Sequence, residues 1–376
     1  MIKKRIYEID ILRGIAFLAV VLQHSLAGFI YEPKVNVYEA IPSAIILNMI
    51  RFAVPLFVVI TGFSLYYSDK GEGYLSYLKK RFNQIILPYL MWTIIYDLSM
   101  FFITGMKINP IDVVLKDYIK YVFTGTGSYH LWYMVMIIQF YILSPLFKLF
   151  INKNKTKTYN TVSLIVFFIL HLWLLYFYNF KLGGIYESST GILKNILVYR
   201  DRLFIMWMFY FVLGAYFAIY FDQIKNMVLK LKYISFLGFL ISLCFVMKKM
   251  INSATYNSEG GYVINHFLGS PLNTIMFPLI IFSILSLYPL SVYILNKKLS
   301  EKIIIIGKYS FGAYLIHALV LRYINITLKT FVPWFYLDII ISFILTSIIS
   351  IYIIKLLEST NNNVLRKLGG FNRKKL

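Results

Sequence analysis

Charge is what this sequence has least of, and acidic charge least of all. Only 14% of its 376 residues are Asp, Glu, Lys or Arg, with 16 acids against 38 bases. A soluble domain spends about a quarter of its residues on charge, so this chain cannot wrap itself in a water-facing surface. Cysteine is nearly absent too. Cys244 stands alone in an apolar run, which excludes an internal disulfide and a thiolate metal cluster and reads as a buried small apolar side chain. There is no H-E-x-x-H pair and no His and carboxylate group at ligand spacing, so no metal is expected. Nor is there a Gly-rich phosphate loop or a nucleophile elbow, which leaves ATP-driven transport and serine-hydrolase chemistry without support.

Apolar sequence fills the space that charge vacates. Hydrophobic residues make up 59% of the chain and its mean hydropathy is +0.70. Stretches long enough to span lipid must be helical, because every backbone polar group has to be satisfied within the segment, and strands of a barrel would alternate in polarity. The sequence therefore specifies an all-α polytopic membrane protein. About ten spans are expected, near 9–30, 45–67, 85–104, 131–150, 162–180, 203–221, 233–250, 271–290, 309–326 and 335–356. The first run holds Arg13 and His24, is long for a signal peptide and reads as a retained span.

The net charge of +22 does not point to nucleic acid, because the bases punctuate apolar segments and accompany no groove-reading or base-stacking motif. They act as topology signals. With both termini cytoplasmic, the inner loops and ends carry 24 Lys and Arg and the outer loops 12, as the positive-inside rule requires. Residues 1–358 form one transmembrane domain, and 359–376 read as a basic cytoplasmic tail, disordered or lying on the surface. The outer loops 105–129 and 181–202 read as connectors with short interfacial helices.

A few ionisable residues stand where lipid tolerates none. In the first span Asp10, Arg13 and His24 share one helix face, His24 about 16 Å further along the axis than Arg13. Such residues face a protein interior or a cavity and mark function. Arg51 enters the second span from the outer side at a depth similar to that of His24, so the two are expected to meet. Pro55 and Gly62 permit a kink or a widened cavity in that span. Lys79, Lys80 and Arg81 form a basic cluster at the inner mouth, taken alone a topology anchor and, for a cytoplasmic polyanion, a partner for phosphates. His130, Trp132 and Tyr133 open the fourth span as ordinary interfacial residues or as part of a site. In span nine, Ser310, Tyr314 and His317 follow Lys308, and His317 is a second intramembrane histidine one turn from Tyr314. His171 and His266 read as structural or surface residues.

Taken together these segments resemble the acyltransferase-3 family of membrane O-acyltransferases. The resemblance rests on Asp10, Arg13 and His24, on Arg51 with Phe57 to Phe63 (similar to F-F-x-x-S-G-F), on Arg81 through Pro88, on 130–133, and on Tyr309 to His317 (similar to S-Y-x-x-Y-L-I-H). Thr61 stands where the family has serine, and Leu56 replaces the first aromatic of its segment. Many members carry a fused extracytoplasmic esterase-like domain; without one, a second transfer step would need another protein.

The resemblance implies transfer of an acyl group, most often acetyl, from cytoplasmic acyl-CoA to a hydroxyl of a cell-surface or lipid-linked glycan, in a bacterial plasma membrane. Acyl-CoA is then a substrate, and no bound cofactor is implied. It also implies roles. His24 is the general base, which needs a neutral imidazole, or the site of a transient acyl group. Arg13 holds the donor, oriented by Asp10, and Arg51 or His317 stabilises the tetrahedral oxyanion. Arg81, Trp132, Tyr133, Ser310, Tyr314 and His317 bind substrate. The competing expectation is a polysaccharide exporter or flippase with no bond chemistry.

Overall fold

A computed structural model describes residues 5–30, 34–69, 71–105, 110–328 and 335–371. Lys3, Lys4, Lys70, Lys107, Lys329 and the bases from 373 to 375, all counted as topology signals, lie outside the described residues. The chain is helical almost throughout. The first half contains α1 (Tyr7–Ile30), α2 (Val37–Met49), α3 (Ala53–Tyr67), α4 (Tyr74–Arg81), α5 (Leu87–Thr104), α6 (Ile111–Thr124), α7 (Trp132–Ile142), α8 (Ser144–Phe150) and α9 (Lys157–Phe180). After it come α10 (Leu182–Ser188), α11 (Gly191–Val198), α12 (Met208–Ile219), α13 (Phe221–Lys230), α14 (Lys232–Asn252), α15 (Met276–Leu295), α16 (Ser300–Leu328), α17 (Phe335–Ser359) and α18 (Asn363–Leu368). One antiparallel pair, Thr255–Tyr256 with Tyr262–Val263, closes the turn after α14.

Seven helical stretches among the described residues are long and apolar enough to cross a bilayer: α1, α2 with α3, α9, α14, α15, α16 and α17. They account for seven of the ten expected spans. The other three depart from simple spanning helices. Residues 131–150 form α7 and α8, bent by 59° at Leu143, and could count as an eighth span. The stretch at 203–221 keeps only the 12 residues of α12, and 85–104 enters α5 through one wide π-helical turn, Phe82–Ile86. A π turn inside a helix often marks function, and this one carries Gln84 and Ile85 into the cavity described below.

Burial separates a central layer from a lipid-facing one. The apolar windows of α1 and α16 are 67% and 61% buried by the rest of the protein, whereas those of α9 and α14 are only 22% buried. Cys244, expected to be buried, is exposed on α14 among side chains that face outward. In the connector between α5 and α7, α6 exposes Ile111, Leu115, Ile119 and Phe123 along one side, as a helix lying in the interface would.

Lipid supplies no hydrophobic push between helices, so close contact depends on small residues that let backbones meet. Two glycine pairs do this. A Cβ on Gly62 would lie 2.1 Å from the Phe211 carbonyl oxygen, and one on Gly214 would lie 1.9 Å from that of Val59, which locks α3 against α12. Gly307 stands against the Asp10 carbonyl in the same way, at 1.9 Å, and Gly14 against that of Ile303 at 2.7 Å, which locks α1 against α16. We expect Gly214→Val to cost about 3 kcal/mol, because the obstacle is backbone and cannot rotate away. The check is the thermal aggregation midpoint in detergent; an unchanged midpoint would show that α3 and α12 part freely.

The expected tail departs from a disordered or surface-lying end. Asn362 caps α18 by accepting from the Val364 and Leu365 N–H groups at 2.8 and 3.3 Å, and α18 packs on α5 and α17. The buried Trp92 indole N–H donates to the Leu368 carbonyl at 2.9 Å, and the Phe371 ring lies 6.1 Å from that of Tyr309. Gly370, at φ +77°, has no room for a Cβ beside the Phe311 ring and the Gln84 carbonyl. The tail thus packs against α5, α16 and α17. Trp92→Phe removes one hydrogen bond, worth about 1 kcal/mol, so trypsin should cut at Arg366 and Lys367 roughly fivefold faster in native membranes. An unchanged cutting rate would show that the indole does not hold the tail.

Candidate active site

The site is built along three central helices. On α1, Asp10 and Arg13 are one turn apart, and the Arg13 Nη1 donates to Asp10 Oδ1 at 3.1 Å. Asp10 also accepts from Arg5 Nε at 2.7 Å, so one buried carboxylate holds two guanidinium groups. Arg13 Nη2 reaches across to α3 and donates to Ser64 Oγ at 2.7 Å. Its planar fork is therefore fixed at both prongs. The i, i+3 spacing predicts the Asp10 contact; Ser64 is a partner that nothing in the linear sequence singles out.

Arg13 opens into a cavity of about 280 Å³. Arg81 enters it from the end of α4, with its guanidinium over the Tyr77 and Tyr141 rings at 5.3 and 5.1 Å. Thr61 and Ser64 of α3, Gln84 of the π turn and Ser310 of α16 add polar groups to the wall, and Gly370 of the tail also lines it. Thr61 Oγ1 donates to the Phe57 carbonyl and Ser310 Oγ to the Gly307 carbonyl, both at 2.9 Å. Two guanidinium groups among hydroxyls and an amide make a chamber for an anionic ligand.

Three rings form the cavity's far end. Phe57, Tyr133 and Tyr314 lie 5.4 to 6.5 Å apart, centroid to centroid, each on a different helix. Beyond this layer stand three histidines. His317, one turn on from Tyr314, lies 5.4 Å from His24 and 4.7 Å from His130. His24 is half-buried, its ring 4.6 Å from that of Tyr129, which is 50% exposed. His130 was open to reading as a solvated residue, yet it is buried: its carbonyl accepts the Tyr314 hydroxyl, and its ring faces the Leu315 carbonyl. Tyr96 braces the same turn of α16, its hydroxyl donating to Leu315 O at 2.8 Å and accepting from Leu319 N–H at 3.2 Å. Among the described residues no group of three His, Cys, Asp or Glu is arranged to hold a metal ion.

Arg51 sits at the break between α2 and α3, where Gln23 donates to the Ile50 carbonyl at 2.6 Å. Of the ten candidate residues, Arg13, Arg81, Tyr133, Ser310 and Tyr314 line the cavity, Asp10 holds Arg13 from behind, and His24 and His317 stand beyond the ring layer; Trp132 turns away, its ring tilted 5.8 Å from that of Trp207. Successive helical residues point about 100° apart, so Tyr133 faces the cavity and its neighbour cannot. Ser64, Gln84, Tyr129, Tyr141 and Gly370 join the site without having been marked, because their role comes from neighbours distant in sequence.

A family model described as an acyltransferase domain matches residues 6–355, nearly the whole chain. The chain belongs to the acyltransferase-3 family. This membrane acyltransferase is similar to a Staphylococcus aureus protein named "Probable poly-beta-1,6-N-acetyl-D-glucosamine export protein", with 24% identity over 326 residues, 85% of this chain and 83% of that one. It is also similar to the "Putative membrane-bound acyltransferase YfiQ" of Bacillus subtilis, 28% identical over 165 residues, 43% and 44% of the two chains. No solved structure matches the acyltransferase.

Proposed function

We propose that this acyltransferase moves an acyl group, in the first instance acetyl, from cytoplasmic acyl-CoA to a hydroxyl of a cell-surface or lipid-linked glycan at the bacterial plasma membrane. One observation carries the reading: a chamber lined by Arg13 and Arg81 and a cluster of imidazoles occupy the two sides of a single aromatic layer. An anionic donor suits the first side and an alcohol the second. The slender acyl-bearing arm is the only part of the donor that has to cross the layer of Phe57, Tyr133 and Tyr314, and it does so when these rings part.

The step balances without a cofactor. The acceptor oxygen forms a bond to the thioester carbonyl carbon while His24 takes the hydroxyl proton. The tetrahedral oxyanion collapses, the carbon–sulfur bond breaks, and the proton passes to the leaving thiolate. Arg13 and Arg81 hold the donor phosphates, Asp10 keeps Arg13 aimed, and Tyr133, Ser310 and Tyr314 line the donor's path. Arg51 is the better choice for the oxyanion. His317 donates through Nδ1 to the Tyr314 carbonyl, which leaves its other nitrogen without a proton to offer in the neutral ring.

The staphylococcal relative's name favours a second reading, glycan export. Against it stands a chamber of about 280 Å³ that ends on packed rings, a size suited to part of a small ligand and not to a sugar chain. Membranes containing the protein, given radiolabelled acetyl-CoA, decide between them. Acyl transfer puts label on glycan; export moves glycan across the membrane with no label.

A further inference from the structure

Two of the three clustered imidazoles have a fixed tautomer and an unused nitrogen. A carbonyl oxygen can only accept, so the ring nitrogen that faces it must carry the proton. For His317 that nitrogen is Nδ1, against the Tyr314 carbonyl; for His130 it is Nε2, 3.3 Å from the Leu315 carbonyl. His317 Nε2 and His130 Nδ1 are thus bare acceptors in the neutral rings. Both are buried, and neither has a hydrogen-bond partner among the described residues. An orphaned buried acceptor is costly, and two in rings 4.7 Å apart call for a ligand that brings its own O–H groups. The half-buried His24 ring lies 5.4 Å from that of His317, which sets the proposed base beside this pair.

We propose that His130 and His317 form an acceptor subsite that reads contiguous hydroxyl groups, as on a single sugar ring: the hydroxyl to be acylated lies on His24, and its neighbours donate to His317 Nε2 and His130 Nδ1. This rests on the acyl-transfer reading and adds the acceptor's class, a polyol with adjacent free hydroxyls in place of an isolated alcohol. His130 is a positioning residue, since it acts on the reacting group through its neighbour.

The test uses the full chain in lipid nanodiscs with labelled acetyl-CoA, first on membrane glycan and then on methyl β-glucoside and its 2-, 3- and 4-deoxy analogues. The wild type should label the parent glycoside and lose roughly 10- to 100-fold in kcat/KM on an analogue that lacks a flanking hydroxyl. His130→Phe keeps the ring's bulk without its acceptor, so the preference for the parent should collapse towards unity. His130→Gln can donate to Leu315 O and still accept, so it should restore most of the preference. The proposal is overturned if His130→Phe, folded by its size-exclusion profile, keeps the parent-to-deoxy ratio, with both rates unchanged or both lowered alike. It is also overturned if membrane glycan is labelled and no glycoside is, because a hydroxyl-reading pair makes one sugar ring sufficient. If the wild type labels nothing at all, the acyl-transfer reading falls as well.

Discussion

His24→Ala is expected to lower acyl transfer by at least about 1,000-fold, the scale of a lost general base, with the protein still inserted and folded. The fold does not depend on this ring. His24 is half-buried and meets its neighbours through ring contacts with Tyr129 and His317, whereas α1 is held to α16 by the backbone approach at Gly14 and Gly307, three turns away. The variant should therefore keep its size-exclusion profile and its thermal midpoint while transfer from labelled acetyl-CoA disappears. Full activity would refute the assignment of His24. A rapid acid quench of the wild type adds a second readout. Label trapped on the protein, and lost in His24→Ala, would place the acyl group on the imidazole before it reaches the alcohol; label that appears only on glycan would mean direct attack.

What could be read from sequence was whatever local spacing controls. Asp10 and Arg13 are one turn apart on any helix, so their ion pair follows from the sequence. The contact between His24 and His317 was less legible, because it joins two helices nearly three hundred residues apart in sequence. Trp132 lies outside the chamber, and its interfacial aromatic character says nothing of which way the first turn of α7 faces. The aromatic layer was illegible for another reason: Phe57, Tyr133 and Tyr314 come from three helices, and only packing makes them one surface. His130 is the sharpest case. On a short segment beside α7 it has the look of a solvated residue, and it is buried because a single turn of α16 engages both its carbonyl and its ring. The tail is similar. Its Asn-rich, basic composition suggests disorder, yet the Trp92 indole and the glycines at 369 and 370 seat it against α5 and α16.

Arg13→Ala is expected to raise the KM for acyl-CoA by about 100-fold, with a smaller effect on kcat and none on the KM for the acceptor. The magnitude follows from losing a charge-assisted contact to phosphate inside a partly enclosed chamber, worth roughly 1.5 to 3 kcal/mol. Lysine should not rescue it. The guanidinium donates to Asp10 and Ser64 at 3.1 and 2.7 Å from opposite prongs, a geometry that a single ammonium cannot reproduce, so Arg13→Lys should recover only part of the lost affinity. Ser64→Ala frees one prong and should raise the same KM by about fivefold, the value of one hydrogen bond. The competing account makes Arg13 a brace between α1 and α3 with no part in binding. Both accounts predict some loss of stability, because Asp10 keeps Arg5 but loses its second partner. Only the binding role predicts a KM effect confined to the donor. Initial rates across acyl-CoA and acceptor concentrations separate the two: an unchanged donor KM beside a lowered thermal midpoint would make Arg13 structural and leave Arg81 as the chamber's anion-binding group.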